Sequence, residues 1–261
     1  MLTITSRLFN IAKRRLQTTA ARPDVYVARR NITNERALAL LERVALNLTK
    51  RSDGVSGYAH PNGFDKITLD SATSGEKLRL HIWWPRLGAY VSDLHDHRWD
   101  FFSEVLIGKM RMHVHRRATP LEVMGLPREA TTLRQEIKYH RHGERQSFEA
   151  TGSERKLVDL GEFEISSGNS YVFPSSFAHK ISLPSNALLA TLCISGPAKT
   201  PSSHIYYDEF RKKQRASLLP FSTSALQEKL ERLMLFIRRE PDIAPGKWDD
   251  GYIARLNKRA A

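Results

Sequence analysis

From Lys66 to about Gly196 the chain is a succession of short runs of β type. They read "KITLD", "KLRLHIWWP", "EVLIGKMRMHVH", "TTLRQEIKYHRH", "FEISSGNSYVFP", "HKISLP" and "ALLATLCIS". Gly, Pro, Ser and Asn separate them, and no helix-length apolar pattern intervenes. Regular punctuation of this kind predicts a sandwich or a closed barrel, because βαβ units would need a helical stretch between strands. Within "KLRLHIWWP" the alternation puts Lys77, Arg79, His81 and Trp83 on one side of a strand and Leu78, Leu80, Ile82 and Trp84 on the other. Solvent is the expected destination of the polar side. If it faces a barrel interior instead, Arg79 can clamp a carboxylate and His81 can act as acid or base.

The flanks have a different texture. "NITNERALALLERVALNLTK" carries Leu38, Leu41, Val44, Ala45 and Leu48 at helical spacing, with Asn34 or Thr33 as cap and Glu35 in the first turn. This predicts a flanking helix over 31–52, ended by turn residues in "RSDGVSGYAHPNG". A helical extension is expected over 202–261. In "STSALQEKLERLMLFIRREPD" Ser224 and Gln227 have capping-box spacing, and Leu226, Leu230, Leu233 and Ile237 form a stripe expected to seat on the parent domain. At 261 residues the chain suits one main domain, over 65–196, with helical additions.

Charge and cysteine usage narrow the partners. The formal net charge is +13, and residues 1–23 hold Arg7, Lys13, Arg14, Arg15 and Arg22 without an acid. That segment can form a basic amphipathic helix, so it reads as a mitochondrial presequence, or otherwise as a basic tail of a cytoplasmic protein. The remainder is still basic enough to attract a small anionic substrate or an acidic partner. Nucleic acid is not expected, for no Lys/Arg stripe interleaved with aromatics occurs. No apolar run reaches the roughly eighteen residues of a membrane helix. The single cysteine, Cys193, lies in an apolar run and reads as a small buried hydrophobe. Neither a nucleophile elbow nor a nucleotide-binding fingerprint is present.

Three His-x-His pairs stand out: His95/His97, His113/His115 and His140/His142. One such pair is weak support, since ten histidines would give about a third of a pair by chance. In a strand, His95 and His97 project to the same side while Asp96 points away, so a third imidazole on an opposing strand can complete one face of a metal's coordination sphere. His113/His115 and His140/His142 neighbour Arg116, Arg117, Arg141 and Arg145, and are expected on a solvated face or barrel rim.

About eighty residues downstream, five residues separate Gly168 from Pro174 and four separate Pro174 from His179. Together with His95-x-His97 this resembles the two motifs of the cupin superfamily. The resemblance implies a mainly β fold, a double-stranded β-helix or jelly-roll barrel, with flanking α-helices added at both ends. It implies His95, His97 and His179 as metal ligands, with Tyr171 and Phe173 near the pocket, and a homodimer as a common assembly. The matches are incomplete. Six residues rather than five precede His95 after Gly88, Ser176 replaces a glycine and Leu183 an asparagine. Counting back from Gly108, the family's metal-binding glutamate position falls on Phe101. Asp100 and Glu104 are the nearby candidates for a fourth ligand, and a site of three histidines alone is preferred to either. Three-histidine sites with iron(II) are used by the thiol-dioxygenase branch, but "ALLATLCISGP" lacks that branch's Ser-x-His-x-Tyr element, so thiol substrates are not assigned.

These readings leave a leading expectation, a mononuclear non-haem iron(II) oxygenase of dioxygenase type acting on a small anionic molecule. The alternatives are an oxygen-independent, metal-supported isomerase, epimerase or hydrolase-like enzyme, and a non-catalytic ligand-binding or assembly module. Iron(II) is the favoured cofactor; zinc, manganese, nickel or copper would suit imidazole ligands as well.

Overall fold

The computed structural model describes residues 26–29, 34–50, 55–125, 131–142, 145–207 and 218–239. The basic segment 1–23, the cap at Thr33 and the end of the C-terminal extension lie outside the described residues. In chain order the elements begin with β1 (Tyr26–Arg29), α1 (Asn34–Lys50), β2 (Ser56–His60), β3 (Phe64–Ser71) and β4 (Lys77–Trp83). Next come β5 (Tyr90–Val91), β6 (Leu94–Asp96), β7 (Phe101–Ile107), β8 (Lys109–Arg117) and the short α2 (Pro120–Gly125). The rest are β9 (Thr131–His142), β10 (Arg145–Ser166), β11 (Asn169–Phe173), β12 (Phe177–Leu183), β13 (Leu189–Ser195), β14 (Ser203–Tyr207) and α3 (Thr223–Arg239). The expected turn "SGYAH" is a strand, β2, because its alternation pairs it with β3 at the sheet edge.

Two seven-stranded sheets face one another. The first runs β1-β11-β7-β13-β4-β3-β2 and the second β5-β12-β6-β14-β9-β10-β8. From β6 onward, apart from the run β8 to β10, consecutive strands alternate between the sheets, as in a jelly roll, and among the described residues every strand pairing is antiparallel. Side chains from both inner faces meet in one core that includes Trp83, Phe101, Met110, Met112, Tyr171, Phe173 and Leu189. The outer face of the first sheet is also dry. Ile67, Leu78, Leu80, Ile82, Phe102, Leu106, Leu192 and Ile194 are covered there by Leu40, Leu41, Val44 and Leu48 of α1 and by Leu226, Leu230, Leu233 and Ile237 of α3. Each such leucine contributes roughly 1.5–3 kcal/mol on burial, so the helices are an integral third layer. This explains why β7 and β13 are buried at every position and read as near-continuous apolar runs.

The α3 helix is capped two residues earlier than its sequence spacing predicts. Ser222, not Ser224, caps it: the Ala225 N–H donates to Ser222 Oγ (3.2 Å), while Gln227 donates to Glu231 instead of reaching back. A polar clamp then fixes α3 to the barrel. Asp65 of β3, buried, accepts from the Trp84 indole N–H (2.5 Å) and from the Lys229 ammonium of α3 (2.7 Å). Replacing Asp65 by Ala strands two donors at once, so a loss of about 2 kcal/mol in unfolding free energy is expected in urea titrations.

The second sheet has an unusual closure. β8 pairs with β10 on one side and with β12 on the other, and β12 pairs with β6 in turn. With β6–β14, β14–β9 and β9–β10 this makes a ring of six strands behind the main barrel. The side chains that alternation sends into this ring are accordingly buried: Leu94, Asp96, His115, Glu136, Leu157, Ala178 and Tyr206. Its charges are paired internally. Asp96 accepts from the His204 backbone N–H (2.6 Å) and from the Tyr206 hydroxyl (2.9 Å), and Arg117 donates to Glu136 (2.8 Å).

Candidate metal centre

β6 and β12 are neighbours in the second sheet, with His179 directly across from His95. His97 follows the end of β6 and projects to the same side as His95, whereas Asp96 faces the rear ring. One nitrogen from each of His95, His97 and His179 lies within 4.8 Å of the others. The ring centroids are 4.9, 4.9 and 5.1 Å apart, and His97 Nε2 stands 3.0 Å from His179 Nε2. The sequence-predicted triad is thus brought to one point.

The outer nitrogens of two of these rings are already committed. His95 Nδ1 lies 2.8 Å from the Asp93 carbonyl, which can only accept, so Nδ1 carries the proton and Nε2 keeps its lone pair. His179 Nδ1 contacts the Met112 thioether at 3.2 Å, with the same consequence. Burial depresses all three imidazoles, His97 and His179 well below the ordinary histidine value, so they are neutral at pH 7. Neutral rings with free, converging lone pairs are a donor set for a divalent ion. The residues present fit a metal; in its absence the neutral His97 ring can carry its proton on Nε2 and donate to His179 Nε2 (3.0 Å).

Neither candidate carboxylate joins this group. Burial alone would raise the Asp100 carboxyl, but the Lys199 ammonium and the Ser175 N–H (2.8 Å) bind it and hold it below the usual range. Glu104 alternates with Phe101, Ser103 and Val105 in β7 and so faces the opposite side from them. The Phe101 ring fills the position instead, edge-on to His97 at 4.9 Å and stacked on Phe173.

The triad lines a cavity of about 480 Å³ between the sheets. Contrary to the expected solvent exposure of the polar side of β4, Arg79, His81 and Trp83 face this cavity. The reason is the third layer: α1 and α3 claim the apolar side of β4, so the polar side turns inward. Arg79 is buried and donates to Ser195 Oγ. His81 is held neutral by burial and by the nearby Lys66 and Arg79, and its Nε2 is buried without a hydrogen-bond partner. Tyr171 and Cys193 complete the wall; burial raises the Tyr171 phenol and pushes the Cys193 thiol up to about 11. Sequence reading missed Lys66, Arg98 and Trp99. These gather as a cationic cluster, with Arg79, Arg98 and Lys66 at 4.8, 5.1 and 5.8 Å from the Trp99 ring. The signal for Lys66 was present, since it alternates with Ile67 as Arg79 does with Leu80.

The pairs expected on a solvated rim behave differently from that expectation. His113 is partly exposed, but His115 is buried inside the rear ring. The side chains of His140 and His142 lie outside the described residues. A Ser-x-His-x-Tyr pattern does occur, at Ser202-Ser203-His204-Ile205-Tyr206 in and before β14. Its His204 and Tyr206 bond Asp96 (2.9 Å each) on the ring side, away from the triad.

No protein-family model and no curated protein matches the sequence. Among solved structures, a hydroquinone 1,2-dioxygenase in complex with Cd²⁺ and 4-hydroxybenzonitrile is 13% identical, covering 60% of this chain and 71% of that one, with a TM-score of 0.33. Oxalate decarboxylase from Bacillus subtilis is 16% identical, covering 54% of this chain and 27% of that one, with a TM-score of 0.31. An oxalate oxidase in complex with the substrate analogue glycolate is 13% identical, covering 56% of each chain, with a TM-score of 0.32. On its own strand order the chain folds as a jelly-roll barrel with flanking helices, and its three histidines converge between the two sheets.

Proposed function

We propose that this barrel is the active site of a mononuclear non-haem iron(II) oxygenase acting on a small anionic organic molecule. The observation that carries the reading is the pairing of three neutral, converging imidazoles with a cluster of cations in one cavity. His95, His97 and His179 would hold the ion, which when bound supplies redox chemistry with dioxygen. Because Phe101 stands in the carboxylate position, the protein's ligand set is uncharged and leaves a divalent ion's charge uncompensated. An anionic substrate offsets it, and Arg79, Arg98 and Lys66 favour the same sign of ligand. Arg79 is pre-aligned by Ser195 and orients a carboxylate at little entropic cost. Phe101, Phe173 and Trp83 keep bulk water from the reacting face. His81, neutral with an unused Nε2, can take part in a hydrogen bond with a substrate hydroxyl and orient it.

The test is oxygen-electrode screening of the iron-loaded protein with a panel of small carboxylates and thiols. Uptake with a carboxylate, and a rise in its KM of about 10- to 100-fold in Arg79→Leu with metal content unchanged, is the expected result. Iron-loaded protein that consumes no oxygen with any member of the panel overturns the oxygenase reading. His81 favours one second reading, an oxygen-independent metal-supported isomerase or epimerase, which anaerobic substrate conversion would reveal.

A further inference from the structure

Among the described residues a second group has metal-ligand composition, and it lies on the other side of the second sheet. His113 and His115 of β8 send their side chains away from the main cavity, since the intervening Val114 and the preceding Met112 fill the main core. Asp159 of β10 is the register partner of His115, just before the bulge at Asp159/Gly161. That bulge matters locally: Asp159 accepts from the Gly161 N–H (2.7 Å), which fixes the carboxylate beside the two rings.

One nitrogen of each histidine and one Asp159 oxygen lie within 4.8 Å of one another. Both carboxylate oxygens are 2.8 Å from His113 Nε2, and the two rings are 4.6 Å apart. His115 is 3% exposed, and its buried Nδ1 meets no hydrogen-bond partner. An imidazole nitrogen left unpaired inside a closed ring of strands costs stability unless something binds there.

We infer that His113, His115 and Asp159 form a second divalent-metal site, at the mouth of the rear ring, for a first-row ion that accepts imidazole and carboxylate ligands. The donor set differs from the inner triad in containing a carboxylate, which compensates part of the ion's charge. Lys180 of β12, across from His113, and Arg134 act against a cation there. Binding exchanges the His113 Nε2 proton for the ion and ties β8 to β10 across the bulge. β8 also carries Met112, which touches His179, so the two sites share one strand.

The experiment uses the full chain stripped with a chelator, Zn²⁺ as probe, and metal content measured after equilibrium dialysis. Two ions per chain are expected. His113→Ala, at a partly exposed position, and Asp159→Asn, at an exposed one, should each lose one ion, and His179→Ala should lose the other. The inference is overturned if His113→Ala and Asp159→Asn both retain the wild-type number of ions. A single ion lost on His179→Ala alone overturns it equally. A single ion lost on His113→Ala but kept in His179→Ala supports the outer site and counts against the inner one.

Discussion

His179→Ala is expected to leave the inner centre without metal. The substitution removes the one ligand that β12 contributes, and no carboxylate stands ready to replace it. Phe101 and Phe173 flank the gap, Asp100 is tied to Lys199 and Ser175, and Glu104 faces the helices. Loss of a partner that merely orients a ligand costs about 10–100-fold in metal affinity. Loss of one ligand in three should exceed that, which for a protein dialysed at micromolar metal means an empty site. Measured metal content should fall by one ion per chain, with the far-ultraviolet circular dichroism of the barrel retained. Unchanged content at the inner site would dismiss the triad assignment.

The largest expected effect on stability lies elsewhere, at Gly108. This residue turns the chain from β7 in the first sheet to β8 in the second, with φ +82°. A Cβ built there would stand 2.0 Å from the Leu188 carbonyl oxygen and 3.3 Å from Leu189 Cα, both backbone atoms that side-chain rotation cannot move. Gly108→Ala therefore adds left-handed backbone strain to a collision between the sheet corner and the start of β13. A loss of at least about 3 kcal/mol is expected, equivalent to a drop in Tm of roughly 6–12 °C. Gly88→Ala is the control, for it has a similar φ (+81°) with no atom near its would-be Cβ. The difference between the two midpoints isolates the collision from the strain.

The sequence carried the barrel because its strands are short, punctuated and apolar on a recognisable period. It carried the triad because His-x-His and Gly168–Pro174–His179 impose spacings that a strand geometry can use. It did not reveal which face of β4 is interior, since Lys77, Arg79 and His81 look like a solvent face until α1 and α3 are seen to occupy the other side. Facing depends on what covers a strand, and that is settled by partners distant in sequence, one helix before the barrel strands and one after them. The rear ring was hidden for a similar reason. β6 and β14 are only three and five residues long, and their pairing joins segments about a hundred residues apart. His115 was consequently placed on an open surface when it lies among buried neighbours.

The strands β6, β8 and β12 serve two enclosures at once, with His95 and His179 on one side and Asp96, His115 and Ala178 on the other. Such a party wall cannot be remodelled from one room only. A residue inserted into β6 or β12 to reshape the chamber in front would flip the identity of every side chain behind it, exchanging imidazole for carboxylate across the partition. Variation that tunes this protein's chemistry is thereby channelled into the loop at Trp99, because β3 and β4 also carry a buried face on their far side, under α1 and α3.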